Sequence, residues 1–331
     1  PVYGGSDDLS QLAVFYPLGT CYVGRESFRG VCGLKFEADI QEFDESRGSF
    51  LDFVELTKAR IGTFVVISTA VGYVLASPGG VDVLRLIHTL LATFLVSSGV
   101  CALNHYLERD YDARMVRTAD RPLPAGRLQP EKAFILGVTM LAVGLVYLAG
   151  WVNVATALVG LATAVVYLIA YTPLKRVTVH NTLVGAVSGA LPPVGGWTAA
   201  QGELGLGAVV LFLILFLWQF PHFYSIAWMY REDYARGGYK MLAVEDVHGD
   251  RTAHQMVIYS LALLPISLMP SLMGLSGNAY FVIALVLSGL LVWSSLAFAR
   301  DRSTQRARHL LRSTLVYLPV LWLALVVDRM P

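Results

Sequence analysis

The chain has 331 residues, of which 55% are hydrophobic and 15% charged, with a mean hydropathy of +0.57. That balance excludes an ordinary soluble domain of this length and places the chain among polytopic membrane proteins. The formal net charge of +1 excludes nothing as a sum, because the distribution of Lys and Arg among the loops carries the information.

Residues 1–50 are a separate compositional zone, mixed at first and then acidic through Glu37, Asp39, Glu42, Asp44 and Glu45. Their apolar run, Leu12 to Val23, is interrupted by Pro17 and Gly19 and is too short for a bilayer core of about 30 Å. A loosely ordered extension or an interfacial segment is expected there, with a partner-binding element as the alternative. Cys21, Cys32 and Cys101 are odd in number and lack CxxC or Cys/His spacing, so neither a disulfide framework nor a zinc site is expected. Nor do the first residues have the basic-then-apolar form of a cleaved signal peptide.

Over 51–331 a single intramembrane domain is expected. Apolar segments of about 20 residues predict an all-α bundle of nine transmembrane helices. They fall near 60–77, 84–103, 133–150, 152–170, 181–200, 204–222, 254–275, 279–299 and 310–327. Alternate loops test that count. Lys58 and Arg60 precede the first segment, Arg109 to Lys132 follow the second, and Lys175 and Arg176 follow the fourth. Arg231, Arg236, Lys240 and Arg251 follow the sixth, and Arg300 to Arg312 the eighth, while the other loops carry almost none. The split predicts the N-terminus inside, the C-terminus outside, and every long polar loop on one face.

Three stretches on that face carry chemistry. In NHYLERDYDARMVRTADRPLPAGR, residues Asn104, Glu108 and Asp112 are spaced four and four, which on a helix drifts only about 40° per step. One amide and two carboxylates thus share a stripe suited to a hard cation such as Mg²⁺; a solvated, salt-bridged helix end is the alternative. Asp110 points elsewhere and is expected to pair with Arg114. Arg117 and Arg121 lie on a loop broken by Pro122, Pro124 and Gly126, where a guanidinium fork suits diphosphate oxygens, although positive-inside signalling also explains the charge. YTPLKRVTVHN places Tyr171, Lys175 and Arg176 opposite, as a diphosphate clamp or as ordinary flanking charge. In WQFPHFYSIAWMYREDYARGGYKML, a helix continuing through Pro221 puts His222 and Asp233 about three turns apart on nearly one face. Gly237 and Gly238 then end it, leaving Lys240 in a loop. Glu232 beside Asp233 is a second acidic ligand or a surface residue.

These three stretches, with LTKARIG before the first span, resemble the signature regions of the protoheme IX farnesyltransferase branch of the UbiA-type intramembrane prenyltransferase superfamily, over about 51–327. The resemblance implies a nine-helix bundle that uses Mg²⁺ and transfers a farnesyl group from farnesyl diphosphate to the vinyl group of haem B with addition of water. Asn104, Glu108 and Asp112 match the first acidic motif, with Glu where many members have Asp. Lys175 and Arg176 match the basic diphosphate loop, with Arg117, Arg121 and Lys240 beside it. Glu232 and Asp233 are the only acids of the second motif, where other members have several aspartates. The expected catalytic set is Asn104, Glu108, Asp112 and Asp233, the metal set adds Glu232, and His222 is expected to contact haem. Ala59 replaces the proline usual in LTKPRIG. Beyond the two substrates, the expected partners are the lipid bilayer and a haem A synthase, with no nucleic acid. The expected location is a bacterial inner membrane, or the mitochondrial inner membrane in a eukaryote. A prenyltransferase acting on an aromatic quinone precursor is the rival enzyme, and a membrane transporter or haem-handling protein the rival outside enzymes. Transporter sites sit near the bilayer midplane on broken helices, whereas these ionisable residues gather at one face.

Overall fold

The computed structural model describes residues 50–330. The extension expected over 1–50 lies outside the described residues but for Phe50, as do Cys21 and Cys32; Cys101 is a buried free thiol. The described residues are helical, with one isolated antiparallel bridge between Ser276 and Arg329.

Helix α1 (Phe50–Leu56) meets α2 (Ala59–Leu75) at a 46° bend. The chain continues through α3 (Val83–Asp112), α4 (Pro130–Trp151) and α5 (Val154–Val165), which passes a π-helical turn, Val166–Tyr171, into α6 (Thr172–Leu174). Next come α7 (Asn181–Ala190), α8 (Pro192–Gln201), α9 (Leu206–Met229), α10 (Arg231–Arg236) and α11 (Leu242–Glu245). The last three helices are α12 (Asp250–Leu272), α13 (Asn278–Arg300) and α14 (Thr304–Val327). Seven helices, counting α5 to α6 as one rod, are long and apolar enough to cross a membrane, and the bent α1–α2 pair makes up to eight. The expected segment 181–200 is divided instead, because Pro192 and Pro193 open α8 without backbone N–H groups. Exposed apolar side chains such as Ile135, Val146, Ile169, Trp293 and Leu323 are what lipid-facing surfaces require.

Helix α3 has 30 residues, about 45 Å, against a hydrocarbon core of about 30 Å. Its N-terminus is set by Asp82, whose side chain accepts from the Arg85 amide at 3.0 Å. About ten of its residues thus exceed what one perpendicular crossing needs, and the polar stripe lies in the last ten. Backbones close around it. A Cβ on Gly99 would lie 2.5 Å from the Leu141 amide nitrogen, so α3 packs on α4 with no side chain between. Similarly, a Cβ on Gly72 would lie 2.0 Å from the Pro193 carbonyl oxygen where α2 crosses α8. The apolar core centres on α9, through Leu211, Ile214 and Phe220, against Met256 and Leu263 of α12, Leu291 of α13 and Leu321 of α14.

Two ends are fixed by contacts. At one, Arg329 donates to the Val74 carbonyl at 2.6 Å and Asn153 to that of Thr198 at 2.9 Å. At the other, the Asp233 carboxylate accepts from the Val116 amide at 3.1 Å, and the Lys240 amide donates to the Lys175 carbonyl at 2.7 Å. All three polar stretches meet at this second end. One expectation is corrected here: α9 does run through Pro221, but it stops at Met229. Tyr230 leaves the helical region at φ −116°, ψ 25°, and α10 starts as a separate short helix. Asp233 therefore does not continue the His222 face. Gly238, at φ +73°, ends α10 as a left-handed turn that favours glycine.

Candidate active site at the polar end

Asn104, Glu108 and Asp112 line one face of α3, exposed by only 1%, 5% and 2%. Each is met by a different element. Asn104 Oδ1 accepts from Lys58 Nζ at 3.0 Å, and its Nδ2 donates to Thr172 Oγ1 at 3.3 Å. Glu108 Oε1 accepts from Lys175 Nζ at 2.7 Å, and Asp112 Oδ2 from Arg121 Nη1 at 2.6 Å. The bend between α1 and α2, the end of α6 and the loop after α3 thus converge on three side chains. A buried charge is tolerated when paired and hydrogen-bonded, which accounts for two carboxylates and two cations sharing so little solvent.

Of the remaining cations of the two loops, Arg127 pairs with Asp52 at 2.9 Å, and Arg114, Arg117 and Arg176 rest on aromatic rings. Arg176 lies 4.4 Å and Arg114 5.5 Å from the centre of Tyr111. Arg117 lies 4.8 Å from Tyr230 and 5.1 Å from Tyr234, and donates to the Tyr234 hydroxyl at 3.1 Å. Lys175 also sits 4.5 Å over Tyr171. Burial pulls the Lys175 ammonium down, but Tyr171 and Glu108 outweigh it and hold its pKa well above the ordinary range. Ring faces steady a guanidinium without neutralising it, so these donors stay charged and able to take an anion. The expected Asp110–Arg114 pair does not form: the Tyr111 ring takes Arg114, and exposed Asp110 pairs with Arg109 at 3.5 Å.

Asp233 is brought to the loop after α3, not to the stripe. Its two oxygens accept from the Val116 and Arg117 amides at 3.1 and 3.2 Å, and Arg236 donates to it as well. Burial pushes this carboxyl up, but the Arg236 guanidinium and the two amides outweigh it and hold it below the usual range. Glu232, one residue earlier, is exposed. Lys240 is tied in by its backbone, its carbonyl accepting from Asn181 Nδ2 at 2.8 Å, while its side chain is exposed. His222 faces α14: Nδ1 lies 2.9 Å from Thr314 Oγ1, and the ring stacks on Trp218 at 4.8 Å. None of its contacts reaches the stripe.

Among the described residues no group of three His, Cys, Asp or Glu side chains is placed to hold a metal by itself. The stripe nonetheless fits a hard cation shared with a ligand, because its donors are an amide oxygen and two carboxylates, and Asp112 Oδ1 accepts no hydrogen bond from the described residues. Both Asp233 oxygens already accept hydrogen bonds, from the Val116 and Arg117 amides and from Arg236, whereas the stripe keeps an oxygen free of them. Sequence reasoning treated Lys58 as flanking charge. It is the one non-glycine residue at positive φ, 47°, among those described, and that left-handed turn aims its ammonium at Asn104.

The UbiA prenyltransferase family matches this chain over residues 65–321. Over 287 residues the chain is 47% identical to the protoheme IX farnesyltransferase of Solibacter usitatus, a match covering 84% of this chain and 98% of that one. It is 46% identical over 288 residues to the protein of the same name from Koribacter versatilis, covering 84% and 93%. Among solved structures, that of a digeranylgeranylglyceryl phosphate synthase is similar with a TM-score of 0.72 at 16% identity, covering 84% and 98%. A UbiA homologue from Archaeoglobus fulgidus bound to GPP and Mg²⁺ is similar with a TM-score of 0.59 at 14% identity, covering 83% and 99%. The two structural likenesses are of fold.

Proposed function

The chain belongs to the UbiA prenyltransferase family and is a prenyltransferase that moves the farnesyl group of farnesyl diphosphate to the vinyl group of haem B, water being added, to give haem O and diphosphate; we propose that it does so at the polar end of the bundle. One observation carries this placement: two buried carboxylates pair with Arg121 and Lys175, Lys58 donates to Asn104 on the same face, and Arg114, Arg117 and Arg176 sit on tyrosine rings at the same end of the bundle. Such a site has hard oxygens for a divalent cation and a surplus of N–H donors for a diphosphate.

Arg117, Arg121, Lys175 and Arg176 bind the diphosphate, with Lys58 behind Asn104 and Lys240 at the rim. As the allylic C–O bond breaks, negative charge grows on the leaving oxygens, and donors already in place stabilise it without reorganising. Asn104, Glu108 and Asp112 are the side chains that would hold Mg²⁺, which the Archaeoglobus fulgidus homologue binds with GPP. Bound there, the ion would neutralise leaving-group charge. Asp233 serves the reaction at one remove, by fixing the loop from which Arg117 reaches. The surrounding lipid-facing bundle keeps bulk water from the farnesyl carbon until the vinyl carbon attacks.

His222 contacts haem through Nε2. Thr314 Oγ1 donates to the Leu311 carbonyl at 2.7 Å, so it accepts from His222 Nδ1 and leaves the Nε2 lone pair free for iron. Nine crossings, with the N-terminus inside and the C-terminus outside, follow when the α1–α2 and α7–α8 pairs each count as one broken span beside the seven long helices. The relatives from Solibacter usitatus and Koribacter versatilis favour a bacterial inner membrane, and haem O passes on to a haem A synthase. The test is incubation of the purified protein with haem B, farnesyl diphosphate and Mg²⁺, then mass analysis of extracted haem. Gain of one farnesyl and one hydroxyl group is expected, and full output from Asp112→Ala rejects the placement. Preferential consumption of farnesyl diphosphate by an aromatic quinone precursor rejects haem as acceptor.

A further inference from the structure

Tyr239 follows the left-handed turn at Gly238 and is only 3% exposed. The turn is pinned on both sides: the Tyr239 amide donates to the Tyr234 carbonyl at 2.9 Å and the Lys240 amide to that of Lys175 at 2.7 Å. Its ring packs against Tyr111 at 5.9 Å and Tyr234 at 6.0 Å, and the Lys175 ammonium lies 5.9 Å from its centre. Yet its hydroxyl is buried with no hydrogen-bond partner among the described residues. A folded protein does not usually strand a buried hydroxyl where a water or protein acceptor would serve.

The surroundings say what this hydroxyl awaits. Burial raises the Tyr239 phenol, Glu108 and Asp112 push the same way, and Lys175 and Arg176 oppose them. The phenol therefore stays protonated, and a protonated phenol short of a partner is a donor seeking an acceptor. An ionised diphosphate is made of acceptor oxygens. We propose that Tyr239 is a substrate-contacting residue, its hydroxyl donating to an oxygen of the allylic diphosphate held by Lys175 and Arg176. The proposal rests on reading the polar end as the diphosphate site.

Tyr239→Phe removes the hydroxyl and keeps the ring packing. With farnesyl S-thiolodiphosphate as an unreactive probe, Mg²⁺ fixed and the full chain in detergent, calorimetry should show a Kd raised by about tenfold to a hundredfold. That is the worth of one hydrogen bond to a charged acceptor. Two further readouts should stay put: thermal unfolding without ligand is unchanged or shifted upward, since no made bond is lost, and the haem B absorption titration is unchanged. Wild-type affinity in Tyr239→Phe with lost affinity in Arg176→Met, whose guanidinium rests on Tyr111 and pairs with no carboxylate among the described residues, overturns the role of Tyr239 and leaves the diphosphate site standing. Wild-type affinity in both overturns the site and the proposal together. A drop in unfolding temperature overturns the proposal by making the hydroxyl structural, and a loss confined to haem B overturns it by assigning a propionate in place of the diphosphate.

Discussion

Replacing Asp233 with alanine separates two roles that the sequence does not distinguish. The carboxylate accepts from the amides of Val116 and Arg117 at 3.1 and 3.2 Å, long for charge-assisted bonds, so each is placed at the low end, about 1.5 kcal/mol. Releasing both removes about 3 kcal/mol from the local stability of the loop after α3, which is about two decades of amide-exchange protection. Hydrogen exchange read by mass spectrometry should therefore show faster exchange at residues 114–118, with Arg117 freed from Tyr234 and KM for farnesyl diphosphate raised. Other ties remain, since Arg127 holds Asp52 at 2.9 Å and Arg121 holds Asp112 at 2.6 Å, so global unfolding should move little. Acid should imitate the substitution. The folded Asp233 carboxyl titrates below its unfolded value, so the latch is fully present above about pH 4 and is lost as pH falls through the folded value. Unchanged protection in Asp233→Ala, together with a changed Mg²⁺ dependence, would refute the latch and restore Asp233 to the metal.

Lys175→Met should lower the unfolding temperature as well as abolish turnover, because it strands the buried Glu108 carboxylate; breaking such a pair costs about 3–5 kcal/mol. Adding Glu108→Gln should recover the unfolding temperature and not the activity, and a single variant as stable as wild type would contradict the pairing. At the α2–α8 crossing, Gly72→Ala should destabilise by about 1–3 kcal/mol, since its Cβ meets a backbone oxygen at 2.0 Å that no rotamer can move aside. His222→Ala should abolish the haem B spectral change on binding, and Thr314→Val should weaken it by releasing Nδ1; unchanged titrations in both would reject His222 as a haem contact.

The helical stripe was legible because four-residue spacing on one helix sets a face whatever surrounds it, and Asn104, Glu108 and Asp112 do share one. Lys175 and Arg176 were legible for a related reason, as adjacent cations at the end of an apolar run. What the residues did not reveal depends on turns and on three-dimensional competition. Lys58 reaches Asn104 through a left-handed turn that no local pattern announces. Asp233 changed partners because the helix expected to carry it from His222 stops at Met229. Arg114 went to the Tyr111 ring, half-buried against the core, in preference to the exposed Asp110. The expected span at 181–200 became α7 and α8 because two prolines interrupt the backbone ladder, while the apolar composition that predicted it is unchanged.

Guanidiniums seated on tyrosines have a kinetic consequence. To receive an anion, Arg114, Arg117 and Arg176 need break no salt bridge, so capture at the proposed site should be fast and should slow as ionic strength rises. The same economy works against departure, because once the farnesyl group has left, the remaining diphosphate faces every donor that its parent did. On the proposed reading, release of inorganic diphosphate is expected to be slow, a product-inhibition measurement being the check. A pyrophosphatase that removes the free product should relieve its rebinding, so added enzyme of that kind should raise steady-state turnover where diphosphate has accumulated.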